Sequence, residues 1–200
     1  MNMTQRYFLE GKRISLSGLS ERDLEPDAPY FRWMNDLSLD EFTERSRFAN
    51  HPAKHRSYYE KSAAGNSLIM LGIYDNETGR HIGNVSYKDI NWYSRRGFIG
   101  YIVGEPDFTG KGIATEAVGM FMLYGFQKLN FNRINTTASV DNVASVKVLE
   151  RNGFRQEGLM RQHIVNGTRK FDVGVYGALA DEWLPEHADR VRNSFVSPIL

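Results

Sequence analysis

The stretch Asp107-Phe108-Thr109-Gly110-Lys111-Gly112-Ile113-Ala114-Thr115-Glu116-Ala117 carries the densest chemistry in the sequence. It joins a strand-like segment to a long amphipathic one. Glycines at 110 and 112 allow left-handed backbone and close approach of a ligand. A helix starting there leaves its first N–H groups unpaired and presents the positive end of its dipole. Loop and helix terminus together suit an anion, most naturally a phosphate. A P-loop reading fails, because five residues rather than four separate Gly104 from Gly110, and Gly112 stands where Ser or Thr is needed. A dinucleotide fingerprint fails at its third glycine, which is Thr115, and meets Asn130 to Arg133 where an acid belongs.

A second motif follows: Asn142-x-x-Ser145-x-x-Val148-Leu149-Glu150-Arg151-Asn152-Gly153-Phe154. Thr109 to Ala114 matches the G-x-A end of the acyl-coenzyme-A pyrophosphate loop, Q/R-x-x-G-x-G/A, with Thr109 in place of the leading Gln or Arg. With Glu157-Gly158 added, the chain from about residue 10 to residue 178 resembles the Gcn5-related N-acetyltransferases (GNAT). The branch is the one holding ribosomal-protein-alanine, spermidine and amino-sugar acetyltransferases. The resemblance implies a GNAT-like α/β fold: a central mixed, mostly antiparallel, seven-stranded sheet flanked by helices and splayed around the pantetheine arm. It implies that Tyr101, Ile102 and Val103 pair with that arm. Gly110, Lys111, Gly112, Ala114 and Thr115 would donate N–H groups to the pyrophosphate, and Asn142 would bond the pantetheine. Ser145 would face the thioester sulfur as the acid. Two positions depart from the family pattern. Leu149 stands where many members carry a Tyr that protonates the leaving thiolate, and Phe98 stands where many carry a Glu proposed as base.

Acetyl transfer to an amine needs an unprotonated nucleophile, a polarised carbonyl and a proton for the leaving thiolate. Candidate bases are Asp89, Glu157 and His163. A dedicated base is dispensable if burial alone lowers the amine pKa. His51 and His55 have helical metal-ligand spacing, but Pro52 and the lack of a nearby carboxylate make them a surface coincidence; no metal is expected. Trp92, Tyr93, Arg95 and Arg96 share one loop that could stack on a sugar and grip a phosphate. Asp36, Asp40, Glu41 and Glu44 cluster in sequence and would suit a polyamine. Trp33 reads as core, while Glu41, Glu44 and Arg45 are candidate acceptor contacts.

The elements that position these residues read as follows. Arg13–Gly18 is a half-buried strand. A helix starting at Ser20 breaks near Pro26 or Pro29 and resumes through Phe31–Met34. Residues 37–50 lack periodicity. A helix over about 52–64 has Tyr58 and Tyr59 inward. Leu68–Tyr74 and His81–Ile90 form a hairpin, and Gly97–Val103 is the next strand. From Gly112 to about Leu129, Ala114, Ala117, Val118, Phe121, Met122 and Gly125 make a buried stripe. Arg133–Ser139 is a strand, Asn142–Asn152 a helix closed by Gly153. Phe154–Val165 and Arg169–Tyr176 form a hairpin over Asn166-Gly167. Asp181–Arg192 has the makings of a short helix in a weakly patterned tail, 184–200. The passage 98–139 reads as one crossover between parallel strands.

With 200 residues, one domain over 1–200 is expected, at roughly 100–200 residues per domain. Lys+Arg total 25 against Asp+Glu 24, a net charge of +1, so charge does not indicate a nucleic-acid partner. The lack of Cys excludes disulfides and thiol catalysis and fits a cytoplasmic setting. No signal peptide or apolar span of membrane length is read, so no membrane partner is expected. The function expected is transfer of the acetyl group of acetyl-CoA to a primary amine. A small molecule is favoured, with an amino-sugar nucleotide as the leading specific acceptor. A protein N-terminus and a polyamine are alternatives, as is a non-catalytic acyl-CoA-binding module. The partners are then acetyl-CoA and the small amine, with a homodimer left open.

Overall fold

A computed structural model describes residues 7–44, 48–65 and 67–196. The order is β1 (Leu9–Glu10), β2 (Ile14–Gly18), α1 (Pro29–Asn35), α2 (Pro52–Ala64), β3 (Ile69–Asp75), β4 (His81–Asn91), β5 (Arg96–Val103), α3 (Ile113–Gln127), β6 (Arg133–Ser139), α4 (Val143–Arg151), β7 (Arg155–Asn166), β8 (Arg169–Leu179) and α5 (Ala180–Arg192). The strands form one sheet in the order β1-β2-β3-β4-β5-β6-β8-β7. Every neighbouring pair is antiparallel except β5 and β6. The expected crossover is therefore present, with α3 between its two parallel strands.

The β5–β6 ladder covers only Arg96↔Arg133 to Phe98↔Asn135. Beyond Phe98 the two strands part, and one further tie follows: Thr136 Oγ1 donates to the Ile99 carbonyl at 2.8 Å. On the other side, β4 pairs with β5 as far as Val103, and Gly104 N–H donates to Ile82 O. Strand alternation then aims the N–H and C=O groups of Tyr101 and Val103 away from β4, into the gap.

Helix α3 is buried on every side from Ala117 to Leu123, not along a stripe alone. The sheet takes one face and α5 the other, where Trp183, Ala188 and Val191 join the same core. Tyr87 of β4 anchors α3 to the sheet, donating from Oη to Phe121 O at 2.9 Å while the two rings stack at 4.2 Å.

The structure corrects three expectations and bears out a fourth. The sheet has eight strands, not seven. The extra one, β1, is two residues long and held by distant partners, pairing with β2 while Glu10 O accepts from Val196 N–H. No sequence periodicity can show so short a strand. The helix expected from Ser20 is only a 3-10 turn, Glu21–Leu24, closed by Ser20 and Asp23, and a separate α1 starts with Pro29 in its first turn. The short helix expected over Asp181–Arg192 is present as α5, and it packs with Phe195 into the core. His55 is not on the surface. It is buried against Tyr30 at 4.4 Å and Phe31 at 5.6 Å, whereas His51 caps α2 by accepting from Ala53 N–H at 3.2 Å.

Candidate active site

A cavity of about 970 Å³ opens where β5 and β6 diverge. One end is the loop before α3. Gly110 and Gly112 there have φ of +77° and +79°, and Gly112 is the α3 N-cap. An added Cβ would meet nothing within 4 Å at Gly110, and at Gly112 only the Arg13 guanidinium at 3.8 Å. Both glycines are thus required by backbone conformation rather than by crowding. Gly110, Gly112, Ala114 and Thr115 line the cavity. Lys111 does not. Its ammonium lies 5.6 Å from the Phe108 ring, and the residue borders a second hollow of about 380 Å³ together with Lys12, Arg13, Arg151 and Arg190. Those four flanking cations were not legible in sequence, because they come from the chain's two ends and from the far end of α4.

Past the loop the cavity follows the open edge of β5. Tyr101, Ile102 and Val103 line it, and so do Asn142 and Ser145 from the start of α4. Asn142 Oδ1 accepts from Ser145 N–H at 3.0 Å, which caps α4 and fixes Ser145 in its first turn. Ser145 Oγ lies 2.7 Å from Tyr101 Oη, and either hydroxyl can donate. Burial pushes the Tyr101 phenol up to about 12, against a pull downward from Ser145. Tyr101 therefore stays protonated near neutral pH. Leu149 is fully buried and away from the cavity, so the phenol near Ser145 comes from the strand and not from α4. The sequence reading assigned Tyr101 only a backbone role and missed this pair.

The Acetyltransferase (GNAT) domain model matches residues 13–155. The chain is 34% identical over 170 residues to YjcK of Bacillus subtilis (strain 168), named a probable N-acetyltransferase, covering 80% of this chain and 90% of that protein. It is 33% identical over 110 residues to the spermidine N(1)-acetyltransferase of Escherichia coli (strain K12), covering 54% and 58%. The Vibrio cholerae spermidine N-acetyltransferase, solved with CoA and spermine, superposes with a TM-score of 0.77 at 23% identity, over 86% of this chain and 98% of that one. That last likeness is one of fold. The matches to p20 of Bacillus licheniformis and to YoaA and YnaD of Bacillus subtilis span 63%, 60% and 49% of those proteins. This chain belongs to the GNAT acetyltransferase family.

The family's usual base position is occupied here by Phe98, which lines the cavity with Lys88 Nζ 4.5 Å from its ring centroid. Of the three candidate bases, only His163 lines the GNAT cavity. Glu157 is taken by Arg133 through two hydrogen bonds, one of 2.8 Å, and that guanidinium holds its carboxyl below the usual range. Asp89 has φ of +52° and lies outside the lining.

The Trp92–Arg96 loop precedes the cavity-lining part of β5, which starts at Phe98, and lines none of the cavity. Trp92 leans on Phe131 at 5.7 Å, Tyr93 is fully exposed, and Arg95 O accepts from Asn132 N–H at 2.6 Å. The stacking and phosphate contacts that motivated an amino-sugar acceptor are therefore not at this cavity. The acidic cluster also disperses. Asp36 accepts from Ser38 N–H at 2.9 Å, Asp40 accepts from Thr43 Oγ1, and Glu41 pairs with Arg169. Glu44 alone of the four lines the cavity. Arg45 falls outside the described residues. Trp33 is core, as expected: it lies over Gly104, where an added Cβ would come within 2.1 Å of its ring, and Nε1 donates to Glu105 at 3.1 Å. Among the described residues no three metal-ligating side chains gather, and no helix is long and apolar enough to cross a membrane.

Proposed function

We propose that this chain transfers the acetyl group of acetyl-CoA to a primary amine of a small molecule. One observation carries the reading. A single cavity joins the glycine loop at the α3 N-terminus, the unpaired edge of β5 and the Ser145–Tyr101 hydroxyl pair. That arrangement suits an extended diphosphate thioester. The N–H groups of Gly110, Gly112 and the first turn of α3 would receive the diphosphate. The N–H and C=O groups of Tyr101 and Val103 would align the amide-rich arm as an added strand. Asn142, whose Oδ1 is engaged in capping, keeps its N–H donors for a carbonyl of that arm.

Bound acetyl-CoA would supply a thioester carbonyl carbon, to which the amine nitrogen bonds as the C–S bond breaks, one proton leaving nitrogen and one reaching sulfur. Ser145 holds the proton for sulfur at Oγ. When Tyr101 donates to that oxygen, the Ser145 proton is released from their mutual bond and points into the cavity. Tyr101 is thus a positioning residue for Ser145. The apolar wall around Phe98 and Ile102 favours the neutral amine by desolvation, which lowers the pKa of an alkylammonium from its usual value of about 10.4.

A second reading, an acyl-CoA-binding module without turnover, is favoured by Leu149 and Phe98, which remove the family's usual acid and base. Thiol release from acetyl-CoA against small amines, a polyamine and an Ala-initiated peptide separates the readings. Release with a small amine is expected. Tight CoA binding with no release for any acceptor supports the module, and a tenfold kcat/KM preference for the peptide defeats the small-molecule assignment.

A further inference from the structure

The amine's entry side is the face of β5 that looks toward α1 and α2. Phe98, Gly100 and Ile102 share this face, in register with Lys88, Ser86 and Asn84 of β4. Ile102 packs with Trp33 and Met70 beneath α1. Phe42 and Glu44 close the cavity from the segment after α1, and His163 and Ile164 close it from β7. Among the described residues at this end, the charge lining is uneven. Glu44 is the one carboxylate in the lining, which at this end also carries Lys88 and His163. Of the nearby acids, Glu41 pairs with Arg169, and Asp89 lies outside the lining. Lys88 is held in place, its ammonium 4.5 Å over the Phe98 ring, a geometry in which the ring quadrupole attracts a cation.

These neighbours favour one kind of acceptor. A polyamine brings a second ammonium to a wall that carries Lys88 as well as Glu44, and like charges repel. Repulsion of a wrong partner contributes to specificity as much as attraction of the right one. Resting on the transferase reading above, we propose that the acceptor is a small primary amine that also bears an anionic group, a carboxylate or a phosphate, engaged by Lys88, and that polyamines are rejected by the same side chain.

The test uses a diamine, an amino alcohol and an amino carboxylate of one chain length, together with phosphoethanolamine. Each is titrated calorimetrically into the CoA-loaded protein and assayed for thiol release from acetyl-CoA. An anionic amine is expected to lead the diamine about tenfold in both Kd and kcat/KM, and which of the two leads identifies the anion. Lys88→Glu should reverse the order. Lys88→Met, which keeps the apolar stem and so the packing on Phe98, should shrink the preference to about twofold. A diamine that binds best to the unaltered protein, or a preference untouched by Lys88→Met, overturns the proposal. Binding in the expected order without thiol release for any amine overturns the transferase reading and leaves the charge preference standing.

Discussion

At the cradle end of the cavity, the lining comes from two stretches contiguous in sequence, Phe108 to Thr115 and Ser139 to Ser145, beside the open edge of β5. At the acceptor end it comes from residues far apart in the chain: Phe42, Glu44, Lys88, Phe98, His163 and Val173. The first end offers mainly backbone groups, namely helix N–H donors and a strand edge, beside one cap. The second works through side chains. Backbone sites depend on conformation, so glycine and capping positions govern them. Side-chain sites depend on which segments the sheet brings together, and a homologue can change the wall while keeping the cradle.

The largest effect should come from Gly112→Asp. The substitution forces a Cβ into a backbone at φ +79° and sets a carboxylate beside the α3 N-terminus. CoA affinity should fall by about 100-fold or more, with circular dichroism unchanged. Equal affinity in a folded variant would remove the diphosphate from this loop. Next, Ser145→Ala should lower kcat about 10²-fold with little change in the acetyl-CoA KM. Tyr101→Phe keeps the ring and deletes the bond to Ser145; a roughly tenfold loss in kcat is expected. The double variant should be no worse than Ser145→Ala alone, because Tyr101 acts through Ser145. Additive losses would give Tyr101 an independent role.

A pH titration separates the α1 side of the sheet from α3 by stability. The Asp23 carboxylate accepts from Ser20 N–H at 2.8 Å and Ser20 Oγ at 2.7 Å, and lies 3.3 Å from buried His81. Burial raises its pKa, but His81 and Ser20 outweigh burial and hold it at about 2 against an ordinary 3.8. The folded state thus favours the ionised form. Its contribution, about 2 kcal/mol, is present above pH 4 and is lost as pH falls from about 4 to about 2. His81 in turn stacks on Tyr74 at 5.0 Å and meets Trp33 edge-on at 5.1 Å. The Asp23–His81 pair therefore ties the turn before α1 to the start of β4. Hydrogen exchange in acid should rise in 20–35 before it rises in α3, and Asp23→Asn should remove the order of events. Simultaneous opening of α3 would show the two sides to be one cooperative unit.

Legibility in sequence follows the same division. Gly110, Gly112, Asn142 and Gly153 are local signals, and the helices they bound lie within a residue or two of expectation. Ser145 entered through the resemblance, by its spacing from Asn142, and the structure places it in the first turn of α4 and in the cavity lining. Tyr101 was legible as a strand residue, but its hydroxyl partner lies 44 positions away, a distance no periodicity spans. The acceptor wall failed for the same reason. Residues 37–44 form one short 3-10 turn and irregular chain, so neither period 2 nor period 3.6 could say which side chains face the cavity. The acids there looked like a cluster by proximity in sequence, while the fold sends Glu41 to Arg169 and Asp36 to a turn. Aromatic and arginine residues at 92–96 looked like a binding loop by composition alone.

That loop supplies the smallest expected effect and the sharpest limit on the acceptor end. Arg96 begins β5, paired in register with Arg133 of β6 and Asn91 of β4, and its side chain is exposed. The cavity wall starts at Phe98, on the same face of β5 as Arg96, and Tyr93 is wholly exposed in the turn before Arg96. Arg96 and Tyr93 themselves line none of the cavity, so they meet an acceptor only if it reaches past Phe98, about 7 Å along the strand from Arg96. Surface substitutions of this kind usually alter stability by less than about 0.5 kcal/mol. Arg96→Ala and Tyr93→Ala should accordingly leave kcat/KM within about twofold for short amines, whereas Lys88→Met changes the preference among them. An amino-sugar nucleotide, if accepted at all, should be equally indifferent to both alanine variants. A tenfold KM rise for that acceptor alone would extend the site to the far end of β5, and Lys88 would then be the near contact of a longer groove.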